Sequence, residues 1–165
     1  MTTVKPIPEG YPRVIPYLLV DGASAAIDFY TTVFGARERL RMPGPQGKIG
    51  HAELEIGDSV VMLADVTPDM GASTPQALGG TTVTLMVYVE DVDTVFERAI
   101  NAGAREDRKV ENQFYGDRAG QFSDPFEHKW FVATHVEDVP PEEMTKRMAA
   151  AMGGTGSGGA ASSAP

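Results

Sequence analysis

Gly35-Ala36-Arg37-Glu38 recurs as Gly103-Ala104-Arg105-Glu106, and the chain around the two copies is written to one plan. Ahead of the first copy, Ala26, Ile27, Tyr30, Val33 and Phe34 return at helical spacing; ahead of the second, Val92, Val95, Phe96, Ala99 and Ile100 do the same. Each helical stretch follows a short apolar strand, Val14 to Val20 or Val83 to Val89. Each runs into a glycine, the residue that most readily takes the left-handed conformation at a helix exit. Past the tetrapeptide each copy continues as strands. The stretch opened by GARE comes first, followed by Gly50 to Ile56 with Ser59 to Ala64 in one copy and Gly116 to Ser123 with Lys129 to Thr134 in the other. Gly57-Asp58 supplies a tight turn to the first pair, and Asp124 to His128 a longer one to the second. The unit is β-α-β-β-β, it occurs twice, and the fold class is α+β. Helices are expected over Ala23 to Phe34 and Val92 to Ala102.

The rest of the chain is arranged around that pair. Residues 1-12 read as an N-terminal extension, 13-64 as module one, 65-80 as a connector and 81-138 as module two. Residues 139-152 form a C-terminal helix with acid at its start and Lys146 and Arg147 further on, matching the helix dipole. The remainder, 153-165, is a Gly/Ser/Ala tract expected to be a disordered tail. The connector is rich in Pro, Gly, Ser and Thr, and is long enough to act as a lid or to reach a second subunit.

Composition narrows the partners. A chain of 165 residues with 42% hydrophobic and 22% charged residues has the balance of a globular protein, and is large enough to enclose a pocket. Fourteen Lys plus Arg against 23 Asp plus Glu leave a net charge of -9, which opposes nucleic acid or an anionic membrane as partner and suits a neutral or cationic one. With no cysteine there is no disulfide, thiolate nucleophile or Cys-ligated zinc, in keeping with a cytoplasmic location. Met1 to Pro12 contains no apolar signal core, and no stretch approaches the roughly 18 apolar residues of a spanning helix. No phosphate loop, nucleotide fingerprint or Ser-His-Asp order is present.

A tandem β-α-β-β-β pair with an Ile27-Asp28-Phe29-Tyr30 helix and a Phe34-Gly35-Ala36 exit resembles the vicinal oxygen chelate superfamily, which includes glyoxalase I, extradiol dioxygenases, and fosfomycin and bleomycin resistance proteins. The segments PYLLVDGASAAIDFY, GKIGHAELEIGDSVVMLAD, YVEDVD and QFYGDRAGQFSDPFEHKW look most like its PhnB-like, glyoxalase-like branch. The likeness runs from Arg13 to about Asp138. It implies the glyoxalase/bleomycin resistance fold, with sheets curving around a shared cup, and a homodimer. It also implies four metal-ligand positions on the first and last strand of each module, held in catalytic members by His, Gln or Glu. Here those positions fall at Ile15, Met62, Thr84 and Phe131, and a one-residue shift brings in no better ligand. A divalent ion needs two or more N or O donors, and Thr84 alone offers a weak one. No metal is expected at the inherited site and no cofactor is expected; a divalent metal elsewhere in the cup stays open.

Strand alternation then sorts the faces. Val14, Leu18 and Val20, Ala52, Leu54 and Ile56, and Val83, Leu85 and Val87 belong under the helices. The opposite set looks into the cup, and Arg118, Phe122 and Phe131 are placed with it. From that set the candidate ligand-binding residues are Tyr17, His51, Glu53, Met62, Met86 and Tyr88, joined by Gln113 and Tyr115 from the loop before Gly116. Aromatic and Met side chains offer flat, polarisable contact, and a carboxylate fixes a cation or hydrogen-bond donor. His51 and Glu53, about 7 Å apart along one strand, either pair with Arg118 or Arg41, bind a ligand, or exchange a proton with a substrate. Asp117 and Arg118 read equally as a local ion pair or as part of the pocket. His128 is expected to make a structural hydrogen bond and Trp130 to pack in the core. Three functions compete. The foremost is metal-independent binding or sequestration of a small aromatic or cationic molecule. The second is a glyoxalase-like lyase, isomerase or dioxygenase-type enzyme with a relocated site around His51 and Glu53, its catalytic residues unassigned. The third is a regulatory protein with a vestigial cup.

Overall fold

The computed structural model describes residues 4–153. In chain order these form β1 (Tyr17–Val20), α1 (Ala23–Phe34), β2 (Arg37–Pro43), β3 (Ile49–Ile56), β4 (Ser59–Asp65), α2 (Pro75–Leu78), β5 (Thr84–Tyr88), α3 (Val92–Asn101), β6 (Arg105–Asn112), β7 (Asp117–Ser123), β8 (Lys129–His135) and α4 (Pro141–Gly153). The tail read at 153-165 lies outside the described residues apart from Gly153, which closes α4.

The duplication extends to how the helices start. Gly22 precedes α1 in a left-handed conformation and has no side chain to cap it. The helix-end N–H groups of Gly22 and Ala23, which have no partner within the helix, instead donate to Oδ1 of Asp65, at 2.8 and 2.9 Å, while Ile49 N–H donates to Oδ2 at 2.7 Å. Asp65, assigned from sequence to the connector, is thus the last residue of β4 and the cap of α1. At the matching end of β8, Thr134 Oγ1 accepts from Val92 N–H at the start of α3 at 2.9 Å.

The strands make two four-stranded sheets, in the orders β1-β4-β3-β2 and β5-β8-β7-β6. Within each, the first strand runs parallel to its neighbour and the remaining pairs are antiparallel. Helices α1 and α3 lie side by side between the inner faces of the two sheets. Phe34 of α1 packs tilted against Trp130 of β8 with ring centroids 4.7 Å apart, and Phe29 of α1 and Phe96 of α3 meet Phe122 of β7 edge-on at 6.4 and 5.8 Å. Leu18, Val20, Ala52, Leu54 and Ile56 complete one continuous core. One buried carboxylate ties the modules together. Asp124 accepts from Tyr30 Oη of α1 at 2.7 Å, from Trp130 Nε1 at 2.9 Å, and from the backbone N–H groups of Phe126 and His128 at 2.9 Å each.

Several face assignments are corrected. Val14 and Val83 precede their strands and are exposed, at 85% and 61%; Ile15 also lies before β1. Phe122 is buried in the helix-side core and does not face the cup. Arg118 shares that inner side, where its guanidinium donates to both carboxylate oxygens of Asp93 on α3 at 2.7 and 2.6 Å. Period-2 alternation defines two sets in β7, and Gly120 between these two residues gives no sign of which is inner. Gly120 sits so close to Phe96 that the sheet must present that side to α3. No helix of the described residues is long and apolar enough to cross a membrane.

Candidate functional site

With one face of each sheet covered by the helices, the other is open. On the first sheet the register sets Tyr17, Met62, Glu53 and Leu40 side by side across β1, β4, β3 and β2, with His51 and Met42 on the next rung. Tyr17, Leu40 and Met42 are 48%, 40% and 50% exposed, whereas Glu53 between them is 5% exposed. The carboxylate is therefore the floor of an apolar and aromatic face.

That floor is a hydrogen-bonded chain. Tyr17 Oη lies 2.9 Å from Nδ1 of His51, and Nε2 of His51 lies 3.3 Å from Oε1 of Glu53. The tautomer with hydrogen on Nε2 satisfies both contacts. Glu53 Oε2 accepts from Tyr11 Oη at 2.7 Å. Burial pushes the Glu53 carboxyl up, but the hydrogen bonds from Tyr11 and His51, with the charge of Arg39, outweigh it and hold the group below the usual carboxylate range. The same bond to Glu53, followed by burial, raises the Tyr11 hydroxyl. Neither Arg118 nor Arg41 pairs with His51 or Glu53: Arg41 is bound to Glu38 at 2.6 Å. Tyr11 was not singled out in the sequence; its signal is to be the aromatic residue in a segment of prolines.

The second sheet carries a comparable group. Asp117, 3% exposed, accepts from Tyr88 Oη at 2.9 Å and faces His135 Nδ1 at 2.8 Å; His135 Nε2 is 3.0 Å from Asp138. These carboxylates, Asp117 first, raise the pKa of His135. Asp117 is thus not paired with Arg118. Tyr115 lies near enough to Asp117 to have its hydroxyl raised, after burial, by that charge. Gln113 donates from Nε2 to the carbonyl of Glu111, two residues earlier and 3.2 Å away, and its own carbonyl closes the turn at Gly116. Met86 and Tyr88 are 51% and 60% exposed.

Seven of the eight candidate residues therefore form two groups, and Gln113, bound back to its own strand, joins neither. Tyr17, His51, Glu53 and Met62 meet on the first sheet. Tyr88 and Tyr115 gather around Asp117 on the second, with Met86 on the same open face, and the helices lie between the two groups. His128 Nε2 contacts the Leu19 carbonyl at 3.2 Å, a structural role. Beside Tyr17, Leu19 and His128, α2 and the end of the connector border a shallow hollow of about 640 Å³. A larger groove of about 1390 Å³ runs between the modules over Phe34, Ile56, Val61, Leu85 and Trp130. Asp58, Asp91, Arg98 and His135 add polar groups to its lining, and it touches the candidate set only at Met86 and Tyr88.

The inherited ligand positions do not fit a metal. Met62 and Phe131 present a thioether and a ring at mid-strand, Thr84 one hydroxyl and Ile15 none. Among the described residues no three His, Asp or Glu side chains converge as a possible metal-binding group.

A 47% identical relative is an uncharacterized protein of Mycobacterium tuberculosis, aligned over 140 residues, 83% of this chain and 82% of the relative. The crystal structure of TioX from Micromonospora sp. ML1 is similar at 30% identity and TM-score 0.59, covering 76% of this chain and 99% of that one. A PhnB protein from Bacillus cereus, described as a putative 3-demethylubiquinone-9 3-methyltransferase, shares the fold at 18% identity and TM-score 0.60, over 74% of this chain and 99% of that one. A family model spans residues 13–132, both modules up to the middle of β8, and by that match the chain belongs to the Glyoxalase/Bleomycin resistance protein/Dioxygenase superfamily.

Proposed function

We propose that this protein binds and sequesters a small planar molecule, aromatic or cationic, without a metal, in a cup that a second copy of the chain completes. The observation carrying this reading is Glu53: a carboxylate 5% exposed at the floor of an open face of Tyr, Leu and Met. Burying a carboxylate is costly, and perturbed ionisable groups of this kind concentrate where ligands are held. The dimer follows from the open faces. Tyr17, Met42, Met86 and Tyr88 are all about half exposed or more, and pairing the first sheet of one copy with the second sheet of another covers both sets and closes a cup between them. We place the protein in the cytoplasm, in keeping with the absence of cysteine.

One observation favours an enzyme as the second reading: the Tyr17-His51-Glu53 chain, at 2.9 and 3.3 Å, has the order of a proton relay. Calorimetric titration with a panel of cationic aromatics, followed by chromatography of the recovered ligand, separates the two. Unaltered ligand bound more weakly by Glu53→Gln than by wild type, by about 1 to 3 kcal/mol, supports sequestration. Chemically altered ligand moves the protein to the enzyme class, and equal binding by both proteins removes Glu53 from the site.

A further inference from the structure

The segment ahead of β1 lies across the open face of the first sheet and puts one side chain into it. Between residues 4 and 14 every residue is exposed except Tyr11. Pro6, Pro8, Pro12 and Pro16 supply no backbone donor, and the segment joins neither sheet. Tyr11 is nevertheless held at its hydroxyl and over the face of its ring. Its hydroxyl donates to Glu53 at 2.7 Å, the Arg39 guanidinium lies 4.5 Å from the ring centroid, and Arg39 Nη1 donates to the Gly10 carbonyl at 3.0 Å. Glu53 and Arg39 sit on the adjacent strands β3 and β2. They make a slot with an acceptor at its end and a cation over its face, which suits a hydroxyl-bearing aromatic ring.

We propose that this slot is the recognition subsite for a neutral phenol, that Tyr11 is its tethered occupant, and that the N-terminal segment leaves when a ligand enters. The proposal rests on the reading of this face as a small-molecule site and narrows its ligand class. Arg39 opposes a second cation in the slot, while the Glu53 acceptor is met by a neutral hydroxyl as Tyr11 meets it now. Release is easy because Tyr11 is the one residue of the segment that is not exposed. A ring on so short a tether competes at an effective concentration of about millimolar or above, so the segment sets the threshold at which ligand enters.

The test uses the full chain and p-cresol, the isolated tyrosine side chain, with toluene as the control lacking the hydroxyl. Tyr11→Ala is expected to bind p-cresol at least tenfold more tightly than wild type and tenfold more tightly than it binds toluene, and Glu53→Gln in the same background should abolish that preference. Tyr11→Phe, which keeps the ring in place, should fall between wild type and Tyr11→Ala; it also serves as the test variant if the alanine protein does not fold. Equal p-cresol affinity in wild type and both variants overturns the proposal, as does toluene binding as well as p-cresol. Glu53-dependent binding of cationic aromatics with no p-cresol binding by Tyr11→Ala overturns the phenol slot and leaves the broader reading standing. A phenol-selective slot with no binding of the cationic panel supports it and removes the cationic class.

Discussion

Asp124 offers the sharpest test of how the two modules are held. It is 2% exposed, and each of its oxygens receives two donors: Tyr30 and Trp130 side chains on Oδ2, Phe126 and His128 backbone on Oδ1. Tyr30→Phe keeps the ring and deletes one hydrogen bond to a charged group, so it should cost about 1.5 to 3 kcal/mol. Asp124→Asn is worse, because whichever way the amide turns, its NH₂ faces two donors. Two bonds are lost and the expected cost is about twice as large. For a chain of this size about 2 to 4 °C is lost per kcal/mol, which puts the Tyr30→Phe midpoint about 3 to 12 °C below wild type. The assays are thermal melting for the midpoint and urea unfolding for the free energy, both followed by the fluorescence of Trp130, the single tryptophan, whose indole donates to the same carboxylate. The slope of the transition should be unchanged if only stability is affected. A Tyr30→Phe protein within about 0.5 kcal/mol of wild type, at the noise level for a silent surface change, would refute the claim that this bond clamps α1 to the second module. An Asp124→Asn protein milder than Tyr30→Phe would refute the donor geometry.

Gly120→Ala should destabilise by about 1 to 3 kcal/mol, because a methyl there meets Val110 Cγ2 at 2.8 Å and Phe96 Cε2 at 2.9 Å; thermal melting checks it. His135 has a raised folded pKa, owed first to its bond with Asp117 and then to that with Asp138. Its stabilising contribution is therefore complete below the ordinary histidine value of 6.5 and lost as pH rises through the folded value. A melting profile against pH should show wild type losing its advantage over His135→Gln across that window, and parallel profiles would sink the assignment. Zinc, nickel, manganese or iron(II) should leave the melting temperature unchanged, since only a ligand of the native state raises it; a metal-dependent rise abolished by altering His51 or Glu53 would favour the enzyme. Light scattering at micromolar concentration should report a dimer, with a monomer counting against the shared cup.

The architecture is legible in the sequence because it rests on local periodicity. Helix α1 covers Ala23–Phe34, the bounds set by its apolar spacing and Gly35, and α3 ends one residue short of the Ala102 expected for it. Alternation in β3 places Ala52, Leu54 and Ile56 inside and His51 and Glu53 on the open side because inner and outer residues there differ sharply in polarity. In β7 the contrast is weak, and the face of Phe122 and Arg118 was decided only by the approach of α3 to Gly120. The long-range partners were beyond any local pattern. Asp65 caps a helix that starts 42 residues earlier in the chain, and Asp124 joins Tyr30 across 94 residues. Tyr11 reaches Glu53 across 42 residues. Such contacts depend on where the packed core delivers each backbone segment. Periodicity can state which side of a strand a carboxylate occupies, and only the assembled sheets and the segment lying across them determine what that carboxylate touches.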